Sequence, residues 1–402
     1  MKITKAENRV LEFIDRHLIA IIVAAVTIIG LAVRVSLRDV VNDDIEACLV
    51  PWYYYIKING LYYQVGDYNY TYQFLIWVMN RIGYEPIYMY KILSASFDLV
   101  LAIAASLVVR SISAEGEKRG NAAAAYCIVW MSPIVFLNSS AWGQCDAIYA
   151  SFAMLGLYFL DKNKSSWAFL LLGAAFAFKL QAVFLLPVFL LAYYAKRNFS
   201  ILNILFIPAM MVALSLPTVI IGKRTVWGIF EVYFNQTNGY SSLALNYPSI
   251  WQVLCQPRNR DHYFTMKAAA ICLAVVMVAA IILLWLKKKQ TLEGGRLYEM
   301  AFLLCYTCVM FLPAMHERYG YMYEVLALLL AIRRPKTIPL CVGLIYISLS
   351  TYGAFLFAKE IDLTLLTIIN IAVYVSYVYM LLIKKEDTPL PAAPAQVKEA
   401  LQ

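Results

Sequence analysis

The stretch SLRDVVNDD, residues 36–44, follows directly on an apolar run at residues 18–35, and Pro51-Trp52 lies shortly after it. Three acidic residues, and two arginines if Arg34 is included, therefore cluster where an apolar helix is expected to end. A simple membrane anchor needs no such cluster, whereas a site for chemistry at the membrane surface does. We therefore interpret the rest of the chain as a scaffold that brings other polar turns to the same side.

The composition indicates an integral membrane protein. Hydrophobic residues make up 62% of the chain, charged residues 15%, and the mean hydropathy is +0.67. Soluble domains are closer to about 45–50% apolar and about 25% charged. We expect one transmembrane domain over residues 1–386 and a disordered, proline-containing tail at 387–402. The net charge of +9 does not indicate nucleic-acid binding, because the basic residues are not gathered in one patch.

The apolar runs predict an all-α, polytopic fold with about 12 transmembrane helices, in a range of 10–13. A spanning helix needs about 20 largely apolar residues, and its backbone polar groups must be satisfied internally. The fourth, fifth, sixth and tenth runs are short, which leaves partial or re-entrant spans open. The predicted spans are 18–35, 88–109, 122–138, 146–160, 166–178, 182–195, 201–221, 267–286, 298–313, 320–332, 338–357 and 363–383.

The distribution of positive charge predicts the orientation. If both termini are cytoplasmic, most of the 34 lysines and arginines lie in cytoplasmic segments, as expected for a plasma-membrane or inner-membrane protein. Two long segments, 36–87 and 222–266, are then extracytoplasmic. The first is rich in tyrosine, which favours the membrane interface, and it predicts interfacial helices, one of them near 72–82.

Four polar groups of residues interrupt the apolar pattern, each at the outer end of a predicted span. Charged side chains at such positions are costly and usually functional, so we expect the four groups to meet in one extracytoplasmic site. They are Asp43-Asp44 with Pro51-Trp52, Trp142-Gly143-Gln144-Cys145-Asp146, Lys179-Leu180-Gln181 and His316-Glu317-Arg318-Tyr319.

Each group also has a plain structural explanation. The acid pair is compatible with a solvated loop, and Trp142 with an interfacial belt residue. Asp146 could cap a helix, Lys179 could extend to the lipid headgroups, and residues 316–318 could form a hydrated turn. The joint pattern favours a shared site, since four separate groups have to be explained together.

Carboxylates facing cations suit transfer from an anionic lipid carrier whose leaving group is a phosphate. A carboxylate can accept the proton of an attacking hydroxyl, and Arg and Lys can stabilise the phosphate charge. The chain lacks the motifs of nucleotide, zinc-peptidase and serine-hydrolase sites. The acid pair could bind Mg²⁺ or Mn²⁺, but cationic side chains suffice for a lipid-phosphate donor. We therefore predict no cofactor and no metal.

With Gly66-Asp67-Tyr68-Asn69, these groups resemble, in order over residues 30–320, the GT-C superfamily of integral-membrane glycosyltransferases. The chain looks most similar to bacterial relatives of the second mannosyltransferase of glycosylphosphatidylinositol-anchor synthesis. That resemblance implies an inverting transfer of a hexose, with mannose favoured, from a polyprenyl-phosphate donor to a lipid-linked or glycan acceptor in cell-envelope glycan biosynthesis. One departure is Ile45, where the family often has an aromatic residue.

The resemblance also implies residue roles. Asp44 would be the general base, with Asp43 as the fallback. His316 and Arg318 would hold the lipid phosphate with help from Lys179 and Gln181, while Gln144 and Asp146 would line the sugar or acceptor pocket. The other residues expected to contact substrate are Trp52, Asp67, Tyr68, Glu317 and Tyr319.

Two other classes of protein stay open at this point. A transporter or flippase of lipid-linked glycans would place its binding groups near the membrane midplane and often shows repeats, neither of which the sequence indicates. A polysaccharide polymerase or ligase would differ in using a lipid-diphosphate donor.

Overall fold

A computed structural model of the chain describes residues 3–254 and 259–384. The tail expected to be disordered, residues 387–402, lies outside these described residues. Within them the chain is almost entirely helical. The α-helices are α1 (Lys5–Ser36), α2 (Val50–Asn59), α3 (Tyr70–Ile82), α4 (Pro86–Ile112), α5 (Lys118–Trp130), α6 (Pro133–Phe136), α7 (Asp146–Asp161), α8 (Ser165–Phe178), α9 (Leu186–Lys196), α10 (Phe206–Ile221), α11 (Gly228–Asn238), α12 (Trp251–Leu254), α13 (Arg260–Lys287), α14 (Gly295–Phe311), α15 (Tyr321–Arg333), α16 (Ile338–Phe357) and α17 (Leu363–Val378).

Short irregular helices and one small sheet complete the described chain. Strand β1 (Ala244–Leu245) pairs in parallel with β2 (Met315–His316), with Ala244 opposite Met315. The 3-10 helices are Glu115–Glu117, Leu180–Leu185, Ile201–Leu205 and Pro335–Thr337, and the π-helical turns are Ile45–Leu49, Leu137–Ala141 and Tyr379–Ile383.

Every predicted span overlaps helical structure, although 122–138 is broken between α5 and α6. Twelve membrane crossings are not confirmed. By length and apolarity, six helical segments of the described chain can cross a membrane: Lys5–Ser36, Pro86–Ile112, Ile201–Ile221, Asp261–Lys287, Pro335–Phe357 and Leu363–Ile383. A seventh results if the bent pair Glu115–Trp130 and Pro133–Ala141 is one span. The remaining predicted spans, including α7, α14 and α15, are helices of 17 residues or fewer.

The most completely buried helices are among these shorter ones. All 17 residues of α14 are buried, as are most of α7 and α15. In contrast, α1 buries only Gly30 and Arg34. Gly30 allows close approach to α5, because a Cβ there would lie 2.0 Å from Nε1 of Trp130. The exposed apolar surface of α1 therefore fits a lipid-facing helix.

A buried ion pair fixes α1 to α4. The Arg34 guanidinium lies 2.9 Å from Oδ2 of Asp98 and also donates to the carbonyl of Trp130. Arg34, which the sequence groups with the charged stretch at 36–44, thus serves the packing of the helices.

Breaks in helix geometry present polar side chains at one end of the bundle. Asp44 precedes the π-helical turn Ile45–Leu49, and Trp142 follows the turn Leu137–Ala141. Lys179 has extended backbone between α8 and a 3-10 helix. Side chains at such breaks project from the helix ends, so residues far apart in sequence can meet.

Candidate active site

Asp44 is the point at which three of the four polar groups meet. Its Oδ2 atom accepts hydrogen bonds from Nε1 of Trp142 at 2.7 Å and from Nε2 of Gln144 at 2.8 Å. A guanidinium nitrogen of Arg318 lies 3.5 Å from the same oxygen. The Asp44 side chain is 26% exposed. Because these interactions all end on Oδ2, the carboxylate is held while Oδ1 is left for a ligand.

Tyr68 orients Gln144 toward Asp44. The Tyr68 hydroxyl donates to Oε1 of Gln144 at 2.8 Å, so the amide nitrogen faces the carboxylate. Burial raises the pKa of Tyr68 far above its ordinary value, which keeps this hydroxyl protonated. Trp52 packs edge-to-face on Tyr68 with ring centroids 5.4 Å apart. Trp52 therefore supports Tyr68, and Tyr68 in turn orients Gln144.

A buried pair of opposite charges, Asp146 and Lys179, lies beside this cluster. Nζ of Lys179 lies 2.6 Å from Oδ1 of Asp146, and Asn138 donates to Oδ2 at 2.9 Å. Both side chains are almost fully buried. Lys179 also lies 5.7 Å above the ring of Tyr68. The pair lets Lys179 keep its charge within the bundle, since a buried cation needs a partner.

The turn between α14 and α15 supplies Arg318. Its guanidinium lies 5.4 Å above the Trp142 ring and 3.4 Å from Oε1 of Glu317. The Nε atom of Arg318 is buried without a hydrogen-bond partner among the described residues. Burial raises the pKa of Glu317, although Arg318 opposes the shift. An unpaired buried donor is costly, so this nitrogen is well placed to bind an anion.

His316 belongs to the same turn, and its surroundings favour the neutral imidazole. Burial, with the charges of Arg318 and Lys179, lowers the pKa of His316 to about 3. Its ring lies 5.2 Å from Tyr240 and 5.1 Å from Tyr319. A neutral imidazole can donate one hydrogen bond to a phosphate but adds no charge to it.

Three neighbouring cavities open around these residues. An apolar cleft of about 450 Å³ is lined by Leu180, Phe184, Ile271, Leu312 and other apolar side chains. A polar cavity of about 520 Å³ includes Asp67, Arg224 and Glu231. Between them, a narrow cavity of about 20 Å³ reaches both Lys179 and Arg318. Gln236 lines all three.

The structure separates some expected site residues from this centre. Asp43 is exposed and makes no side-chain hydrogen bond or ion pair within the described chain. Asp67 accepts a hydrogen bond from Gln236 at 3.0 Å at the edge of the polar cavity. Gln181 lines the apolar cleft, and Tyr319 lines both that cleft and the narrow cavity. The expected residues therefore divide between a charged centre and two adjoining clefts.

Sequence reasoning missed residues of α16 and α11. Phe355 stacks on Trp142 with ring centroids 4.3 Å apart, and Tyr352 meets the same ring edge-on at 5.1 Å. Asn138 donates to the Tyr352 hydroxyl at 3.3 Å as well as to Asp146. No sequence signal marks these aromatics, because they lie within an ordinary apolar run. Gln236 in α11 could have been noticed as a polar residue in the second long loop.

Among the described residues, no three His, Cys, Asp or Glu side chains are grouped so that they could hold a metal ion. Metal independence stays a prediction, since substrates can themselves supply ligands.

The comparisons with known proteins identify a family. A model of glycosyltransferase family 87 matches residues 71–313, more than half of the chain. The match includes Gln144, Asp146 and Lys179, begins after Asp44, and ends just before His316. No curated protein and no solved structure matches the chain significantly. With its long apolar helices, the chain therefore belongs to glycosyltransferase family 87, a GT-C-type family of membrane glycosyltransferases.

Proposed function

We propose that the protein transfers a hexose, with mannose favoured, from a polyprenyl phosphate to an extracytoplasmic lipid-linked or glycan acceptor, with inversion. The observation that carries this proposal is the arrangement around Asp44. A carboxylate held through one oxygen lies beside Arg318, and Lys179 is close to the same centre.

The clefts support a lipid-phosphate donor. The apolar cleft suits a prenyl chain, because Leu, Val, Phe, Ile, Pro, Ala and Met side chains make up just over half of its lining and three tyrosines add further apolar surface. The narrow cavity next to it has Lys179 and Arg318 in its walls, where a phosphate would be stabilised. This cavity leaves little free space beside the two cations, so we propose that a side chain moves when the donor binds. Gln236 is the candidate, because it lines this cavity and donates a side-chain hydrogen bond to the exposed Asp67.

Asp44 suits the role of general base. Among the described residues its Oδ1 atom has no hydrogen-bond partner, so an acceptor hydroxyl can approach it, while Trp142 and Gln144 fix the plane of the carboxylate. In the proposed step, the hydroxyl oxygen bonds to the anomeric carbon and its proton passes to Asp44. The bond from that carbon to the lipid phosphate breaks, and the phosphate leaves toward Arg318.

The polar cavity suits the acceptor. Carboxylates, amides and tyrosines line it, including Asp67, Glu231, Asn235 and Tyr240, and such groups bind sugar hydroxyls. We further propose that this end of the bundle is extracytoplasmic and that both termini are cytoplasmic. The support is the excess of lysine and arginine in the segments at the opposite end.

A donor panel tests the proposal. Purified full-length protein is supplied with a membrane lipid extract and radiolabelled hexoses linked to polyprenyl monophosphate, polyprenyl diphosphate or a nucleotide. We expect label to reach a new product from the monophosphate donor alone. Transfer only from the diphosphate would support the polymerase or ligase class. Consumption of no donor by correctly folded protein would overturn the proposal.

A further inference from the structure

A separate cleft of about 620 Å³ lies between α1 and α4. It is lined by Leu31, Val35, Ile92 and Leu99 on its apolar walls and by Arg38 at one end. None of the residues around Asp44 described above lines it. The cleft is therefore separate from the cavities proposed for the donor and the acceptor.

The cleft opens sideways, toward the surface where lipid would lie. The four apolar wall residues are all exposed on helices α1 and α4, and both helices are long and apolar enough to span a membrane. Its polar end coincides with the end of α1, where the chain enters the loop 37–42. Apolar walls along the helices and a polar end at the loop suit an amphipathic lipid. Its acyl chains would lie along the helices and its headgroup at the loop.

The polar end carries positive charge. The described lining contains three cations, Arg34, Arg38 and Lys91, and no carboxylate. Arg34 is neutralised by Asp98 behind it. Lys91 donates its three N–H groups to the carbonyls of Leu37, Arg38 and Val40. Asp39 pairs with Arg38 and also attracts Lys91, so three cations face two carboxylates and one positive charge remains in excess.

Arg38 is the residue free to move toward a ligand. Its side chain is 59% exposed, and its one recorded ion pair is with the equally exposed Asp39, at 3.2 Å. Exposed pairs of this kind are weak, so an incoming anion can displace it. Tyr84 and Tyr88 lie beside it in the lining, and tyrosine is favoured at the level of lipid headgroups.

We propose that this cleft binds an anionic membrane phospholipid, whose phosphate is held by Arg38 near the positive charge of Lys91 and whose acyl chain lies along Leu31, Val35, Ile92 and Leu99. Charge complementarity selects an anionic over a zwitterionic lipid. The loop 37–42 that Lys91 holds leads directly to Asp44. Occupancy of the cleft therefore stabilises the segment that positions Asp44. This inference does not depend on the donor or acceptor proposed above.

The test measures lipid binding to full-length protein in detergent by native mass spectrometry. The probes are phosphatidylglycerol and phosphatidylcholine with identical acyl chains. We expect a retained phosphatidylglycerol molecule on the wild type and weaker retention of phosphatidylcholine. Arg38→Ala should weaken the binding of phosphatidylglycerol about fivefold, since one arginine near an anionic lipid contributes about 1 kcal/mol to binding. Ala95→Trp, which fills the cleft, should remove this molecule.

Matched control variants distinguish binding in the cleft from general attraction of the anionic lipid to positive charge on the protein. Arg81→Ala removes an exposed arginine that stacks on Trp77 outside the cleft, and Ile103→Trp places the same indole side chain at an exposed position of α4 that does not line the cleft. Both should bind phosphatidylglycerol like the wild type. Equal retention of the two lipids by the wild type, or equal losses in Arg38→Ala and Arg81→Ala, would overturn the proposal. It would also fail if Ala95→Trp kept the bound lipid.

Discussion

Replacing Gln144 by glutamate tests the proposed role of Asp44 through a neighbouring residue. The amide nitrogen of Gln144 lies 2.8 Å from Oδ2 of Asp44. In Gln144→Glu a carboxylate oxygen takes its place, while the Tyr68 hydroxyl can still donate to the new side chain. The change therefore reverses the electrostatic interaction with Asp44 and keeps the size of the residue.

Coulomb's law gives the size of the effect. Two unit charges 2.8 Å apart repel by about 6 kcal/mol at an effective dielectric constant of about 20. Two carboxylates at this distance relieve that repulsion by sharing a proton, and the proton blocks a general base. If half of this repulsion, about 3 kcal/mol, is added to the activation free energy, the rate of transfer at pH 7 falls at least about 100-fold.

The assay is the initial rate of label transfer between pH 6 and 9.5. We expect Gln144→Glu to regain activity as the pH rises, because the shared proton is lost. Gln144→Leu, which removes the donor without adding charge, should lose about tenfold at every pH. If Gln144→Glu stayed within threefold of the wild type at pH 7 with an unchanged pH profile, Asp44 could not be the base.

Three further predictions concern the support of the site. Phe355→Ala should lower kcat threefold to tenfold, because Trp142 loses its stacking partner, whereas Phe357→Ala, at an exposed position of the same helix, should not. Because the pKa of His316 is lowered in the folded protein, His316 takes up a proton in the unfolded chain at a higher pH than in the folded one. Stability therefore falls as the pH drops from about 6.5 toward about 3. His316→Gln should remove that slope, up to about 1.4 kcal/mol per pH unit, from thermal unfolding curves measured across this range. Arg34→Met should cost about 3–5 kcal/mol in unfolding free energy by stranding buried Asp98, and adding Asp98→Asn should restore part of it.

The helices of the bundle were predictable because apolar runs of sufficient length leave the backbone few alternatives. The number of crossings was not. Hydropathy cannot distinguish a helix buried in protein, such as α14, from one facing lipid, because both are apolar. Charged residues in its first turns also made the start of α13 unpredictable from hydropathy. The helix begins at Arg260, whereas the predicted span begins at residue 267.

The members of the site were predictable in part, since polar residues at the ends of apolar runs are costly unless they are used. Their pairing was not predictable. That Asp146 neutralises Lys179, and that Asp44 faces Trp142 and Arg318, depends on how the helices pack. Phe355 supports the site through a ring that resembles any aromatic in an apolar helix. Such contacts are fixed by three-dimensional packing, for which the linear pattern carries no signal.

The most direct test of the central claim compares Asp44→Asn with Asp43→Asn in the transfer assay with the active polyprenyl-phosphate hexose. Both changes remove one carboxylate from the same loop, but only Asp44 is held by Trp142 and Gln144. We predict that Asp44→Asn lowers the rate by about 10²–10⁴, the range for a lost general base, and that Asp43→Asn stays within about threefold of the wild type. Full activity in Asp44→Asn would contradict the account.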